Sequence, residues 1–211
     1  MKLEIENILP GDIERRSFEL IEQEMHTTPD PLFKPILKRV IHTTADFEYE
    51  DTLKCSEGAV EHALDALKKG AWIITDTNMV KAGINKQLLS RLGGEVHCFM
   101  ADEEVRRAAK ENGTTRAVAS MEKAAACEKP VIFAIGNAPT ALLKVCELVS
   151  ENRLHPELVV GVPVGFVNVE VSKEVLMEQE VPYITAVGRK GGSNVAASII
   201  NALIYMLEER E

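Results

Sequence analysis

Short apolar runs alternate with segments of helical periodicity through most of this chain, and this alternation restricts the possible folds more than any other feature. The apolar runs lie at residues 71–75, 95–99, 131–135, 158–162 and 182–187. Strands that alternate with helices form right-handed βαβ units and a parallel sheet. Continuously apolar strands are typical of a sheet covered on both faces. The sequence therefore predicts a three-layer α/β fold with a mostly parallel sheet of about five strands, flanked by helices.

The residues before the first run follow a different pattern. Helical spacing predicts two helices there, at residues 11–25 and 35–42. Residues 48–54 are consistent with a short edge strand, and residues 56–69 with a further helix. Because no linker, low-complexity tract or repeat divides the chain, residues 1–211 are predicted to form a single domain.

The net charge, the length of the apolar runs and the cysteine spacing each disfavour certain classes of function. The formal net charge is -9 at pH 7, and a uniformly negative surface disfavours nucleic acids and anionic membranes. No apolar run approaches the roughly 18 residues of a membrane span, and Glu4 and Glu6 stand where a signal peptide would be apolar. The four cysteines form no CxxC pair, which disfavours a zinc site. We therefore expect a reduced, cytoplasmic protein that binds neither nucleic acid nor a membrane.

The residues that directly follow the apolar runs are candidates for a binding site. Ligands of open α/β sheets bind beyond the carboxyl ends of the strands. Asp76, Thr77 and Asn78 follow the first run, and the sequence Gly-Arg-Lys-Gly-Gly-Ser at residues 188–193 follows the last. Glycine permits close backbone approach, and free N–H groups at helix starts attract anions. Ordinary turn chemistry explains any one of these loops, but their concentration on one edge favours an anionic ligand.

Familiar catalytic motifs are absent from the sequence. It contains no GxGxxG or Walker A loop for nucleotides, no GxSxG nucleophile elbow and no HExxH metal motif. We therefore expect a reaction that uses neither a cofactor nor a metal held by the protein, and no covalent nucleophile.

A histidine and an arginine share the last turn of the second predicted helix. Arg39 stands three residues before His42, so both side chains fall on one face. Histidine titrates closest to neutrality and is the usual residue for moving protons. The alternative is that His42 only caps the helix. Ser17 points towards the packed side of the first helix, where its hydroxyl either bonds back to the carbonyl four residues earlier or faces a ligand.

Five short stretches occur in an order that matches a known family. They are ERRSF at 14–18, RVIH at 39–42, GNAPTAL at 136–142, GVPVGFV at 161–167 and GRKGGS at 188–193. Together they resemble the precorrin-8X methylmutase (precorrin isomerase) family of vitamin B12 biosynthesis, from about residue 7 to the end of the chain. The GNAPTAL and GVPVGFV stretches are specific in combination, whereas each glycine turn alone is a weak signal.

The resemblance implies a flavodoxin-like sheet and a homodimer with active sites near the subunit interface. It implies an isomerase that moves a methyl group from C11 to C12 of precorrin-8X or cobalt-precorrin-8, giving hydrogenobyrinate or cobyrinate. The migration occurs within one molecule and needs no external methyl donor. A non-catalytic corrinoid carrier on the same scaffold is the alternative. A flavin or nucleotide enzyme is disfavoured because the phosphate-binding fingerprints are missing.

The same resemblance implies roles for individual residues. His42 matches the family's catalytic histidine, and Ser17 and Arg39 match its substrate-binding positions. The implied partner is a polycarboxylate corrin precursor, whose rim carboxylates suit arginine side chains and glycine-turn N–H groups. The remaining residues predicted to bind this substrate are Arg15, Arg16, Arg116, Thr77, Asn78, Gly188, Arg189, Gly191 and Gly192.

Overall fold

A six-stranded sheet forms the centre of residues 7–208, which the computed structural model describes. The strands are β1 (Leu53–Cys55), β2 (Trp72–Thr75), β3 (Val96–His97), β4 (Val131–Ile135), β5 (Leu158–Gly161) and β6 (Tyr183–Ala186). Their order across the sheet is β1-β6-β5-β4-β2-β3. Strands β2 to β6 pair in parallel, whereas β1 is antiparallel to β6. Glu4 and Glu6, on which the expectation about a signal peptide rests, lie outside the described residues.

The five parallel strands have the order of flavodoxin. Numbered along the chain from β2, they read 2-1-3-4-5 across the sheet. The flavodoxin-like fold is therefore confirmed, with one strand more than the five expected. The predicted edge strand at 48–54 is wrong in its first half, where helix α3 (Tyr49–Thr52) lies. Acidic residues in the first turn of α3 favour that helix, and the edge strand begins only at the buried Leu53.

Helices cover both faces of the sheet. One face carries α1 (Ile13–Glu24), α2 (Lys34–Thr44), α4 (Ala59–Lys68), α5 (Asn78–Gly83), α6 (Lys86–Arg91) and α11 (Ser193–Glu208). The other face carries α8 (Arg116–Ala124), α9 (Pro139–Ser150) and α10 (Val169–Met177), with α7 (Glu103–Glu111) packed on α8.

The central strand β4 shows why the apolar runs are continuous. Ile132 and Ala134 pack into the core beneath α2, α4 and α11, whereas Val131, Phe133 and Ile135 pack against α8 and α9. All five residues of the strand are buried. Because successive side chains point to opposite faces, a strand covered on both sides must be apolar at every position.

The structure also bears on the expectations about cysteines, membrane spans and metal sites. Across residues 7–208, the four cysteines are unpaired. No helix in that range is long and apolar enough to cross a membrane. Nor does the range contain a group of three or more His, Cys, Asp or Glu side chains that could hold a metal ion.

Truncation of a core leucine tests the packing of this fold. Leu142 of α9 is fully buried, so we expect Leu142→Ala to lower the free energy of unfolding by about 2–5 kcal/mol through lost apolar burial and a cavity. Leu9→Ala is the matched control, since Leu9 is 73% exposed, and we expect a change within about 0.5 kcal/mol. Urea unfolding followed by circular dichroism measures both variants. Equal losses would contradict the placement of α9 against the sheet.

Candidate active site at the carboxyl ends of the strands

A crevice is expected between β2 and β4, where the strand order reverses and the connections leave in opposite directions. Asp76 directly follows β2 and is fully buried there. Its carboxylate accepts hydrogen bonds from the N–H groups of Gly136, Asn137 and Ala138, at 3.0, 2.8 and 2.6 Å. Burial raises the pKa of Asp76, while these three bonds oppose the rise. The prediction that glycine-turn N–H groups are free for a ligand is therefore wrong for this turn, because the chain's own carboxylate occupies them.

Thr77 connects two of the strand ends. Its hydroxyl accepts the N–H of Val80 at 3.1 Å, which caps α5, and lies 3.0 Å from the hydroxyl of Ser193 at the start of α11. Asn78 is the first residue of α5 and is exposed. Thr77 thus has a clear structural role, whereas the Asn78 side chain is accessible to a ligand.

Residues 188–193, called here the β6–α11 turn, depend on glycine. Gly188, Gly191 and Gly192 have φ angles of 83°, 155° and 131°, a region that strains residues with a side chain. A Cβ at Gly191 would collide with the carbonyl oxygen of Val162. Gly192 donates its N–H to that same oxygen at 2.9 Å. Gly191 and Gly192 therefore pack the turn tightly against the end of β5, and the N–H of Gly192 is used within the protein.

The β6–α11 turn presents two exposed cations. Arg189 donates through Nε to Glu170 at 3.0 Å, and its guanidinium carbon lies 5.5 Å from the centre of the Phe166 ring. Lys190 donates to Asp46 at 2.6 Å and to Glu48 at 2.7 Å. The bond from Lys190 lowers the pKa of Asp46. Because Asp46 closely follows α2, Lys190 ties the end of that helix to the carboxyl edge of the sheet.

Helix α2 reaches the same edge along α11. Arg39 and Thr43 of α2 line an open groove of about 260 Å³ together with Asn194 and Tyr205 of α11, and we call it the α2–α11 groove. Thr43 lies one residue from His42, and Asn194 follows the first residue of α11. The C-terminal end of α2 is therefore beside the N-terminal end of α11, within a single chain.

Two aromatic rings hold the Arg39 side chain. Its guanidinium carbon lies 4.8 Å from the centre of Phe18 and 4.7 Å from the centre of Tyr205. Arg39 also donates to Glu14 at 2.6 Å. His42 is exposed, and its ring centre lies 5.2 Å from that of Phe18. Phe18 contacts both side chains, so Arg39 and His42 share one face of α2.

The α1 residues of the predicted site differ in their availability. The Ser17 hydroxyl donates to the carbonyl of Ile13 at 2.9 Å, which is the back-bonded alternative. The Arg15 side chain is 67% exposed, whereas Arg16 is 32% exposed. Both arginines lie within ion-pair distance of Glu19. Arg16 therefore lies closer to the packed side of α1 than Arg15 does.

Arg116 lies on a different face of the sheet from the α1 and α2 residues of the predicted site. It begins α8, which packs on the opposite face of the sheet from α1 and α2. Within one chain, the sheet therefore separates Arg116 from His42.

No sequence motif predicts Lys173, yet this residue touches the β6–α11 turn. Its Nζ donates to the carbonyls of Gly188 and Lys190, each at 2.7 Å, and the residue is only 1% exposed. Burial lowers the pKa of Lys173 to about 8. The available signal was its helical spacing, because Lys173 shares the buried face of α10 with Val169 and Leu176.

Arg39, Arg189 and Lys190 are each paired with a carboxylate of the same chain. The pairs are Arg39 with Glu14, Arg189 with Glu170, and Lys190 with Asp46 and Glu48. Exposed ion pairs, such as that of Arg189 with Glu170, contribute only about 0–1 kcal/mol each. A ligand carboxylate can therefore replace an internal partner at little cost in free energy.

Comparison with known proteins gives consistent matches over most of the chain. A family model described as precorrin-8X methylmutase matches residues 12–206. The cobalt-precorrin-8 methylmutase of Salmonella typhimurium is 48% identical over 207 residues, which cover 95% of this chain and 97% of that protein. The precorrin-8X methylmutase of Pseudomonas aeruginosa is 36% identical over 194 residues, covering 90% and 93%. A crystal structure of precorrin-8X methylmutase from Thermus thermophilus superposes with a TM-score of 0.86 at 39% identity, covering 94% and 98%.

Replacement of Asp76 tests the internal anchoring of the turn after β4. Asp76→Asn should lower the free energy of unfolding by about 1–3 kcal/mol. The NH₂ group of asparagine replaces one carboxylate oxygen, and it leaves at least one of the backbone N–H groups of the turn without an acceptor. The control is Asp65→Asn, at an exposed side chain 3.3 Å from Lys68, where we expect almost no change. Thermal unfolding monitored by circular dichroism compares them. Wild-type stability of Asp76→Asn would refute the anchoring role.

Proposed function

Because this chain belongs to the precorrin-8X methylmutase family, we propose that it moves a methyl group from C11 to C12 of precorrin-8X or cobalt-precorrin-8, with acid–base assistance from His42. Members of the family shift a methyl group within a corrin precursor, so the chain is an isomerase of cobalamin biosynthesis. The products are hydrogenobyrinate or cobyrinate. The observation that carries the proposal for His42 is its exposed position beside Arg39, at the end of a helix that reaches the carboxyl edge of the sheet.

The proposed chemistry needs a proton donor and a fixed macrocycle. In the reaction, the bond from the methyl group to C11 breaks and a bond to C12 forms, so the atoms of the substrate are conserved. A proton lent by His42 makes the conjugated ring electron-poor and eases the shift. A general acid of this kind typically contributes about 10²–10⁴-fold in rate. Holding the macrocycle in one orientation supplies the remaining acceleration.

The proposed binding mode places rim carboxylates on arginine side chains. Arg39 and Arg189 are the principal candidates, since each is paired with an exposed glutamate that a substrate carboxylate can replace. At about 260 Å³, the α2–α11 groove is smaller than the roughly 300–1,000 Å³ of most ligand pockets. One edge of the macrocycle would therefore enter the groove, and the rest would lie over the exposed Asn78 and the β6–α11 turn.

We further propose that the enzyme is a homodimer whose second subunit completes the site. The small groove and the separation of Arg116 from His42 both support a contribution from another chain. An exposed apolar patch beside Arg189 supports the same idea, with Phe166 and Val167 exposed by 83% and 78%. Burial of such side chains against a second copy would stabilise the association.

The oligomeric state is directly measurable. Sedimentation equilibrium should give twice the 23.3 kDa mass of the chain. Replacing Phe166 and Val167 together by serine should shift the protein towards the monomer, since it removes exposed apolar surface from the proposed interface. The matched control replaces Leu9 and Met79, which are also exposed, by serine and should leave the dimer intact. A wild-type protein that sediments as a monomer would contradict the proposal.

Substitution of His42 separates catalysis from binding. His42→Ala should lower kcat by about 10²–10⁴-fold because it removes the proton donor, while the Kd for hydrogenobyrinate changes little. His62→Ala is the matched control, since His62 is exposed on α4 away from the site. Visible absorption follows both turnover of precorrin-8X or cobalt-precorrin-8 and titration with hydrogenobyrinate. Normal turnover by His42→Ala would show that the assigned role is wrong.

A further inference from the structure

We propose that Lys173 is a positioning residue, which holds the β6–α11 turn in the conformation that directs Arg189 towards a carboxylate of the substrate. This inference rests on the proposed function, because it assumes that the turn contacts the substrate. Lys173 is buried and does not touch the substrate itself. Its effect on binding is exerted through the backbone on either side of Arg189.

Lys173 occupies a position that costs free energy. A buried ammonium group is strongly unfavourable unless hydrogen bonds replace its lost hydration. Lys173 is only 1% exposed, and both of its described hydrogen bonds, each 2.7 Å long, go to backbone carbonyls of the turn. An apolar side chain of similar volume would fill the same space without that cost. The lysine is therefore better explained by what it does to the turn than by what it adds to the core.

The two bonds of Lys173 hold the backbone on both sides of Arg189. The carbonyls of Gly188 and Lys190 both point inward to Lys173 and flank Arg189. With the backbone fixed on both sides, the Arg189 side chain projects outward and is 60% exposed. It meets Glu170, which lies three residues before Lys173 on α10. Lys173 of α10 thus holds the backbone of the turn, and Glu170 of the same helix directs the Arg189 side chain.

Other bonds also hold the β6–α11 turn in place. Gly192 donates to the carbonyl of Val162 at 2.9 Å, and Gly165 donates to the carbonyl of Arg189 at 3.2 Å. Lys190 is also paired with Asp46. These bonds preserve the path of the chain without Lys173. Loss of the lysine should therefore alter the orientation of the peptide groups at 188–190 and leave the sheet intact.

Lys173→Met tests the inference, because methionine fills a similar volume and donates no hydrogen bond. We expect the Kd for hydrogenobyrinate and the KM to rise about tenfold or more, with little change in kcat. This is the size of effect expected if Arg189 loses its hydrogen bond to a substrate carboxylate. Lys110→Met is the matched control on the exposed surface of α7 and should bind normally. A lowered kcat with an unchanged Kd, or unchanged values of both, would overturn the inference.

A double-mutant cycle shows whether Lys173 acts through Arg189. If it does, Arg189→Met weakens binding, and adding Lys173→Met to it weakens binding little further. Fully additive losses would overturn the inference. If Arg189→Met alone binds normally, the inference also fails, but the isomerase assignment does not, because the His42 variants test that separately.

A measurement on the wild-type protein covers the case in which Lys173→Met does not fold. Hydrogen–deuterium exchange, recorded with and without hydrogenobyrinate, should show slower exchange in residues 188–192 when the ligand is bound. Unchanged exchange in this segment, at ligand concentrations that saturate the visible absorption change, would overturn the inference.

Discussion

The buried carboxylate of Asp76 joins two neighbouring strand ends, and the rest of the site depends on that connection. Its three bonds fix the turn after β4, where Gly136 packs so closely on Ser193 that a Cβ would lie 2.7 Å from the Cα of that residue. This contact sets where α11 begins. Helix α2 packs along α11, and so the position of His42 follows from the geometry of the strand ends.

Charge is organised on this edge in two layers. Beneath the surface, Asp76 accepts from backbone N–H groups and Lys173 donates to backbone carbonyls, so each buried charge fixes one turn. At the surface, Arg39 and Arg189 are paired with glutamates that a ligand can replace. The net charge of -9 is therefore compatible with an anionic substrate, because substrate carboxylates can replace the glutamates that are paired with Arg39 and Arg189.

The sequence was sufficient to predict the elements that depend on local pattern. The continuous apolar run of β4 identifies a strand covered on both faces, and the spacing of Arg39 and His42 identifies side chains that share a helix face. Contacts between distant segments were not predictable from pattern. The carboxylate of Asp76 satisfies N–H groups some sixty positions along the chain, and Lys190 pairs with Asp46, which lies 144 residues before it. The position of Arg116, on the other face of the sheet from α1 and α2, likewise depends on helix packing. The bond from Ser17 to Ile13 is local, and it is one of the two alternatives that the sequence offers.

A crystal structure of the protein with hydrogenobyrinate bound tests the central claim most directly, which is that the end of α2 and the strand-end turns of the sheet form one active site. The account predicts that the His42 imidazole lies within hydrogen-bonding reach of the macrocycle on the side that carries C11 and C12, with rim carboxylates on Arg39 and Arg189. A macrocycle bound away from the end of α2, for example against α7 and α8, would contradict it.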